Sequence, residues 1–290
     1  MFYEGDVADR ALLRRIFEDH PDIDCTIHMA ARTIVPESVA DPAGYYRANV
    51  TKSLALFSEL QQLGLPRVVF SSSASVYAPT ADFEVTEDSS LGPASPYART
   101  KLVDELMLRD LAAAGGVRAV ALRYFNPIGS DPRLRTGVHA QEPTHVVGQL
   151  VRVVQGLQKD FVLTGTDHPT PDGTGIRDYV HVWDVARAHV AVVEGFDEVV
   201  DRTGVGFDVM NLGTGTGVSV RELVSAVERI SGRTIPVREA PARLGDAVGA
   251  YANVAKAHDV LRWRSEHTLD EAIRSALEWG ARRKDVLGYE

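Results

Sequence analysis

Arg67-Val-Val-Phe-Ser-Ser-Ser73, followed by Pro96-Tyr-Ala-Arg-Thr-Lys101, is the pair of segments on which the fold turns. The first reads as an apolar strand that delivers serines at its carboxyl end, the second as a helix start with proline in its first turn. In open α/β sheets, ligands bind outside the carboxyl ends of the strands. Tyr97 and Lys101 stand four positions apart, so they project from one helix face. A phenol with an ordinary pKa near 10 is a poor base at neutral pH. A neighbouring ammonium favours the phenolate and makes the tyrosine a usable general acid/base. Ser73 can then relay the proton to or from a substrate alcohol. The set suits hydride transfer at a carbon bearing a hydroxyl. With 9 Tyr and 5 Lys in 290 residues, a Tyr-x-x-x-Lys arises by chance ~0.15 times per chain, so the motif needs its surroundings.

Working outward, 117–125 reads as another strand, and it too ends in special residues, Asn126-Pro127. Both candidate elements therefore emerge on the same side of one sheet. Residues 8–20 read as a helix with Leu12, Leu13, Ile16 and Phe17 on one face. Residues 25–29 read as an inner strand with Cys25 as a buried structural thiol. Asp41-Pro42 opens a long helix to about Leu63, with Asp41 as N-cap and Gly64 beyond its end. The helix carrying Tyr97 ends near Gly115-Gly116. From Pro127 to Gly175 the composition turns to Gly, Pro and Thr, as expected of loops outside the sheet. Strands at 178–181 and 207–212 alternate with helices at 182–194, 219–231 and 269–282. Short apolar runs alternating with amphipathic stretches are the pattern of an α/β fold with a parallel sheet covered by helices.

The bulk properties bound the function. A net charge of -9 argues against nucleic acid or an anionic membrane as the main partner, while leaving room for a local arginine pocket. Cys25 is the only cysteine, which excludes an intrachain disulfide and a Cys-based zinc site; no metal is expected. No apolar run reaches spanning length, and a cytoplasmic enzyme is the default reading. His28 and His181, beside apolar strand residues, read as structural histidines.

Five segments together identify a likeness: Phe70-Ser-Ser-Ser-Ala-Ser-Val-Tyr77, Ser95-Pro-Tyr-Ala-Arg-Thr-Lys101, Leu122-Arg-Tyr-Phe-Asn-Pro-Ile-Gly129, Asp172-Gly-Thr-Gly-Ile-Arg-Asp-Tyr-Val-His-Val182 and Asn211-Leu-Gly-Thr-Gly-Thr-Gly217. In order and spacing the chain resembles, along essentially its whole length, the UDP-glucose 4-epimerase family of the extended short-chain dehydrogenase/reductase superfamily. The resemblance implies a doubly wound, NAD-binding Rossmann-type parallel sheet over 1–127. It implies a smaller C-terminal α/β substrate-binding domain over 128–290, with about 176–195 returning to the first part.

It also implies roles. Tyr97 takes the proton of the sugar 4-hydroxyl, Lys101 lowers the tyrosine pKa and bonds the nicotinamide ribose, and Ser73 bonds the same sugar oxygen. NAD carries the hydride and is regenerated, because the 4-keto sugar turns over and takes it back on its other face. Asp6, Val7, Met29, Ala30, Ala31, Thr33, Asn49 and Phe125 match cofactor neighbours. Asn126, His145, Val146, Arg177, Tyr179, Arg243 and Asp246 match residues that hold a UDP-sugar, arginine being suited to two-point bonding of phosphate. Thr33 stands where the family has a lysine. Ala250 stands where some members carry a tyrosine; a small residue there implies room for N-acetylated sugars. A UDP-pentose 4-epimerase shares almost all of these motifs. Dehydratases usually add an acidic pair near the serine, where this chain reads Ser73-Ala74-Ser75. A homodimer through the helix after Asp41 and the Tyr97 helix is a further expectation.

Two negative readings complete the picture. Asn211 to Gly217 looks like a phosphate loop, but Val218 stands where the dinucleotide fingerprint wants its third glycine. The family's opening strand, glycine-rich turn, helix and second strand have no counterpart, so the Rossmann unit reads as N-terminally truncated. That turn would hold the pyrophosphate. Either the natural chain starts further upstream, or the chain is made as written, cannot hold NAD well and is at best a UDP-sugar-binding remnant or a non-catalytic subunit; for the purified chain as written, no bound NAD and negligible epimerisation are expected. Intact downstream positions favour the first.

Overall fold

The computed structural model describes residues 1–242 and 248–288. Its strands are β1 (Cys25–His28), β2 (Arg67–Ser71), β3 (Glu84–Val85), β4 (Arg118–Tyr124), β5 (Asn126–Ile128), β6 (Phe161–Thr164), β7 (Ile176–Arg177), β8 (Tyr179–His181), β9 (Phe207–Leu212), β10 (Val218–Ser219), β11 (Val237–Ala240) and β12 (Gly249–Ala252). Most are short. The helices are α1 (Arg10–Asp19), α2 (Val35–Ala40), α3 (Pro42–Tyr45), α4 (Lys52–Gln62), α5 (Pro96–Ala113), α6 (Val146–Val154), α7 (Val182–Glu194), α8 (Phe196–Asp201), α9 (Val220–Ser231), α10 (Ala255–Leu261) and α11 (Leu269–Leu287).

The central sheet is parallel in the order β1-β2-β4-β9, and its twofold side-chain alternation builds two cores. Val69, Val120, Leu122, Met210 and Leu212 point to one face, against Val185, Ala188 and Val192 of α7 and Phe196 and Val199 of α8. Val68, Phe70, Ala119, Ala121, Phe207 and Val209 point to the other, against Leu56, Phe57 and Leu60 of α4 and Leu108 and Ala112 of α5. Helices on both faces explain why these strands are almost uninterrupted apolar runs. The fold is therefore the expected α/β architecture with a Rossmann-type parallel sheet. A third core gathers α6, α9 and α11 with β6, through Val147, Leu150, Leu163, Leu223, Val227 and Ile273. Among the described residues, no helix is long and apolar enough to cross a membrane.

Three expectations need correction. β1 is not an inner strand: among the described residues it pairs only with β2, so Ile27 is 43% exposed and Cys25 is half-buried rather than buried. The helix expected from Asp41 to Leu63 is not continuous. Asp41 does cap it, accepting from Gly44 N at 2.9 Å, but 46–51 widens into a π-helical stretch between α3 and α4. Such widening is rare and gathers at functional sites, and here it carries Asn49 inward. The Gly/Pro/Thr-rich region also contains α6, whose apolar positions 147, 150, 151 and 154 follow the helical period, and the short strand β6.

The Gly-Thr-Gly-Thr-Gly loop is built around a carboxylate. Asp178 is fully buried and accepts from Thr214 N and Oγ1 at 2.8 and 2.7 Å, and from Gly215 N and Ala252 N at 3.1 Å each. A Cβ at Gly213 would lie 2.3 Å from Asp178 Oδ2, so only glycine lets the loop close on it. The loop's donors are thus spent on the protein itself, in keeping with its reading as something other than a phosphate cradle. Asp178→Ala orphans these donors and is expected to cost about 3 kcal/mol. Urea unfolding followed by circular dichroism checks it; a midpoint equal to the parent's contradicts the clamp.

Candidate active site

Local backbone chemistry sets the three central groups. Ser95 caps α5 by accepting from Ala98 N at 3.2 Å, and Pro96 opens its first turn, so Tyr97 lies at the very start of the helix. Ser73 follows the end of β2 and caps a single 3₁₀ turn, Ala74–Val76, accepting from Ser75 N at 3.2 Å and Ser75 Oγ at 2.9 Å. Ser73 stands close enough to the Tyr97 phenol to act on its titration. One turn further along, Lys101 donates to the Ser71 carbonyl at 2.8 Å and lies 4.8 Å from the Phe70 ring centre. The structure therefore brings Ser73, Tyr97 and Lys101 together at the carboxyl end of β2.

Burial dominates the electrostatics. Tyr97 is 9% exposed, and desolvation holds its phenol well above 10, with Ser73 opposing. Lys101 is 3% exposed, and burial lowers it to about 8. His28, at the end of β1, is pushed down to about 4 by burial and then by Lys101; it bonds Ser53 Oγ at 2.8 Å and is a neutral structural histidine at pH 7. His181 is likewise pushed to about 4 by burial, and its Nδ1 accepts from Trp183 N at 3.0 Å to cap α7.

Behind the site runs a buried polar network that the sequence reading missed. Arg123 on β4 pairs with Glu105 on α5 through Nε–Oε1 at 2.9 Å and Nη2–Oε2 at 2.6 Å, both side chains 2% exposed. Glu105 also accepts from Ser72 Oγ. Arg123 Nη1 reaches the Tyr77 hydroxyl at 2.9 Å, which donates to Asn211 Oδ1 on β9 at 2.7 Å. The signal available beforehand was an arginine in the middle of an apolar strand, with an acid eight residues after Tyr97 on the same helix face.

The positions expected to border the cofactor are spread over one side. Asp6 is exposed and paired with Lys52, which lowers its pKa, and Val7 is half-buried against the α4–α5 core. Met29 is 60% exposed, Ala30 and Thr33 are exposed, and Ala31 is half-buried. Asn49, fully buried, ties this segment to the Tyr97 helix: it accepts from Arg32 N at 2.8 Å and donates to Arg32 O and Thr100 Oγ1, both at 3.0 Å. Phe125 is buried with Val76, Tyr77, Val85 and Ala252, and Ala250 and Leu102 pack on that cluster.

On the other side, Asn126 pairs in register with Tyr179, joining β5 to β8, and Ala250 pairs with Arg177, joining β12 to β7. Arg177 Nη1 donates to Ile176 O at 2.8 Å and Val248 O at 3.0 Å. Tyr179 is buried, its hydroxyl has no partner among the described residues, and burial raises it to about 12. His145 caps α6, its Nδ1 accepting from Gly148 N at 3.2 Å, and Val146 begins that helix. His145 lines a cavity of about 710 Å³ between α6 and α11, which Ser73, Tyr97 and Lys101 do not line. Arg243 and Asp246 lie outside the described residues.

The network yields a stability test. Glu105→Ala leaves a buried, unpaired guanidinium and is expected to cost about 3–5 kcal/mol, whereas Glu105→Leu with Arg123→Met loses far less. Equal losses in the single and double variants, by chemical denaturation, would show the pair to be uncoupled.

Comparison with known proteins places the chain. Residues 1–213 match the NAD dependent epimerase/dehydratase family. The UDP-glucose 4-epimerase of Azospirillum brasilense is 42% identical over 286 residues, covering 98% of this chain and 80% of that one. The crystal structure of UDP-glucose 4-epimerase from Bifidobacterium longum in complex with NAD+ and UDP superposes with a TM-score of 0.91 at 38% identity, covering 98% of this chain and 84% of that one. A UDP-glucose-4-epimerase from Stenotrophomonas maltophila, with bound NAD and formylated UDP-arabinopyranose, gives 0.91 at 36% identity, covering 98% and 84%. With its parallel sheet, its Ser73–Tyr97–Lys101 cluster and matches on this scale, the chain belongs to the NAD dependent epimerase/dehydratase family.

Proposed function

We propose that this protein interconverts UDP-glucose and UDP-galactose by epimerisation at C4. The observation that carries the reading is the placing of Tyr97, at the start of α5, beside Ser73, just past the end of β2, with the Lys101 ammonium one helical turn behind, held on the Ser71 carbonyl. Desolvation makes Tyr97 a weak acid, so it is a useful base only while a cation stands close. On this reading Tyr97 removes the proton from the sugar 4-hydroxyl, and Ser73 holds the same oxygen and fixes its direction. The 4-keto sugar then turns over, and Tyr97 returns the proton to the oxygen as the alcohol re-forms. NAD, when bound, supplies the hydride acceptor and donor at C4.

The residues present suit the nicotinamide end of that dinucleotide. A buried ammonium, held only by a carbonyl and an aromatic face, has hydrogens left to offer a ribose. Met29 to Ala31 leave an exposed segment at the end of β1, whose next residues are pinned by Asn49. Asp6, Val7, Thr33, Asn49 and Phe125 complete the cofactor side. Asn126, Arg177 and Tyr179, with His145, Val146, Arg243 and Asp246, would hold the UDP-sugar. The division follows: 1–127 for the cofactor, 128–290 for the substrate, with about 176–195 returning to the first. Exposed Tyr46, Leu54 and Leu106, on the two helical segments flanking the sheet, support a homodimer. The chemistry and acidic composition support a cytoplasmic setting.

Supplied with NAD, the protein is expected to convert UDP-galactose to UDP-glucose, and Tyr97→Phe to lower the rate by ~10²–10⁴ with UDP affinity unchanged. Conversion of UDP-xylose instead would move the reading to a pentose epimerase; conversion of neither overturns it. Ala250 is half-buried beside the Phe125 cluster, with a side chain far smaller than tyrosine. UDP-GalNAc is therefore expected to turn over at a rate comparable to UDP-galactose, and Ala250→Tyr to remove the acetyl-sugar activity selectively. Undetectable UDP-GalNAc conversion by the parent protein sinks that part.

A further inference from the structure

Lys101 has an electrostatic problem that the site described above does not solve. The residue is 3% exposed, and its ammonium donates to the Ser71 carbonyl and lies over the Phe70 ring, neither of which carries a charge. Burial of this kind favours the neutral amine, and a neutral amine does nothing for the Tyr97 phenolate. A compensating negative charge has to lie nearby.

The nearest acid by sequence and by helix geometry is Asp104, three residues on and on the same face of α5. It is 1% exposed, and its Oδ1 receives no hydrogen bond. Glu105, the other acid on this face, is committed to Arg123 and Ser72. Charges on the elements packed against α5 are likewise engaged: Lys52 with Asp6 and Glu59 with Arg14 on α4, Glu37 on α2 with Arg32, Asp208 on β9 with Lys256. Arg47 acts on Asp41. Of the remaining groups near the pair, His28 is neutral, and Tyr45, Tyr97 and Tyr124 are all held in the phenol form by burial. Asp104 alone combines burial, an unengaged carboxylate oxygen and a place beside Lys101.

We propose that Asp104 is the counter-ion that keeps Lys101 protonated, a positioning residue that acts on the Tyr97 proton chemistry through Lys101. It touches neither substrate nor cofactor. The titration behaviour agrees: burial lowers Lys101 to about 8 while Asp104 opposes, and burial raises Asp104 to about 8 while Lys101 opposes. Each opposes the other's burial shift, and the two titrate as a pair. The proposal rests on Lys101 as the cation behind Tyr97, but its test reads the proton on Lys101 directly and needs no turnover. Failure of epimerase activity and failure of this assignment are therefore separate outcomes.

The chain has five lysines, so lysine labelled with ¹³C at Cε gives five resonances, and Lys101 is the one lost in Lys101→Arg. In the parent protein Lys101 should titrate near pH 8. In Asp104→Asn, which keeps the shape and removes the charge, its midpoint should fall by about one pH unit or more. Asp104→Glu should restore most of the shift. A Lys101 midpoint in Asp104→Asn at or above the parent's overturns the assignment. If Asp104→Asn does not fold, the unmutated protein labelled at aspartate Cγ decides. One carboxylate must show an inflection at the pH where Lys101 titrates, and its absence also overturns the assignment.

Discussion

The Arg123–Glu105 pair is the constraint on which the rest of the site depends. A guanidinium and a carboxylate sealed between a sheet and a helix are tolerated only if every hydrogen-bonding atom is matched, and here Ser72, Tyr77 and Asn211 complete the match. Burying the pair brings no certain gain in stability over well-packed apolar residues. What it does bring is registry. Glu105 fixes the rotation and axial position of α5, and Ser72 fixes the backbone one residue before Ser73. Bonds made two helical turns away thus help to place the Tyr97 helix against the Ser73 segment.

A second carboxylate does for the substrate side what Glu105 does for the catalytic side. Asp178 sits between Arg177 and Tyr179 and gathers backbone donors from the 213–217 loop and from β12. Those donors hold β12 beside β7 and so hold Ala250 opposite Arg177. A loop with the composition of a phosphate cradle has been turned into a structural latch. Glycine is needed at 213 because the carboxylate approaches the backbone there, with no anion required to explain it.

Much of this was legible in the sequence, and for a physical reason. Helices on both faces of a parallel sheet force strands such as Arg67–Ser71 and Phe207–Leu212 to be apolar throughout, and a cap such as Asp41 or Ser95 marks a helix start unmistakably. Tyr97 and Lys101 were readable because a helix puts i and i+4 on one face. The features that escaped depend on what lies across the fold. Nothing in 25–29 says that a strand is an edge, and nothing in 42–62 announces a π-helical stretch; 146–154 does carry a helical period, set among the glycines and prolines of the loops around it. Arg123, a charge within an apolar run, finds its reason only when Glu105, eighteen residues earlier, is placed against it.

The same burial runs through all of the chemistry. Excluding water from the Tyr97 phenol protects a transient keto sugar and strengthens every nearby dipole, yet it also makes the phenol a worse acid. Correcting that with Lys101 only moves the difficulty, because the ammonium is buried as well. A charge can be kept in such a place if another charge answers it, and α5 places one at the next turn. The helix therefore carries its reactive groups in order of depth: phenol, ammonium, and the acids that hold the ammonium and the helix. Each is intelligible only through the one after it.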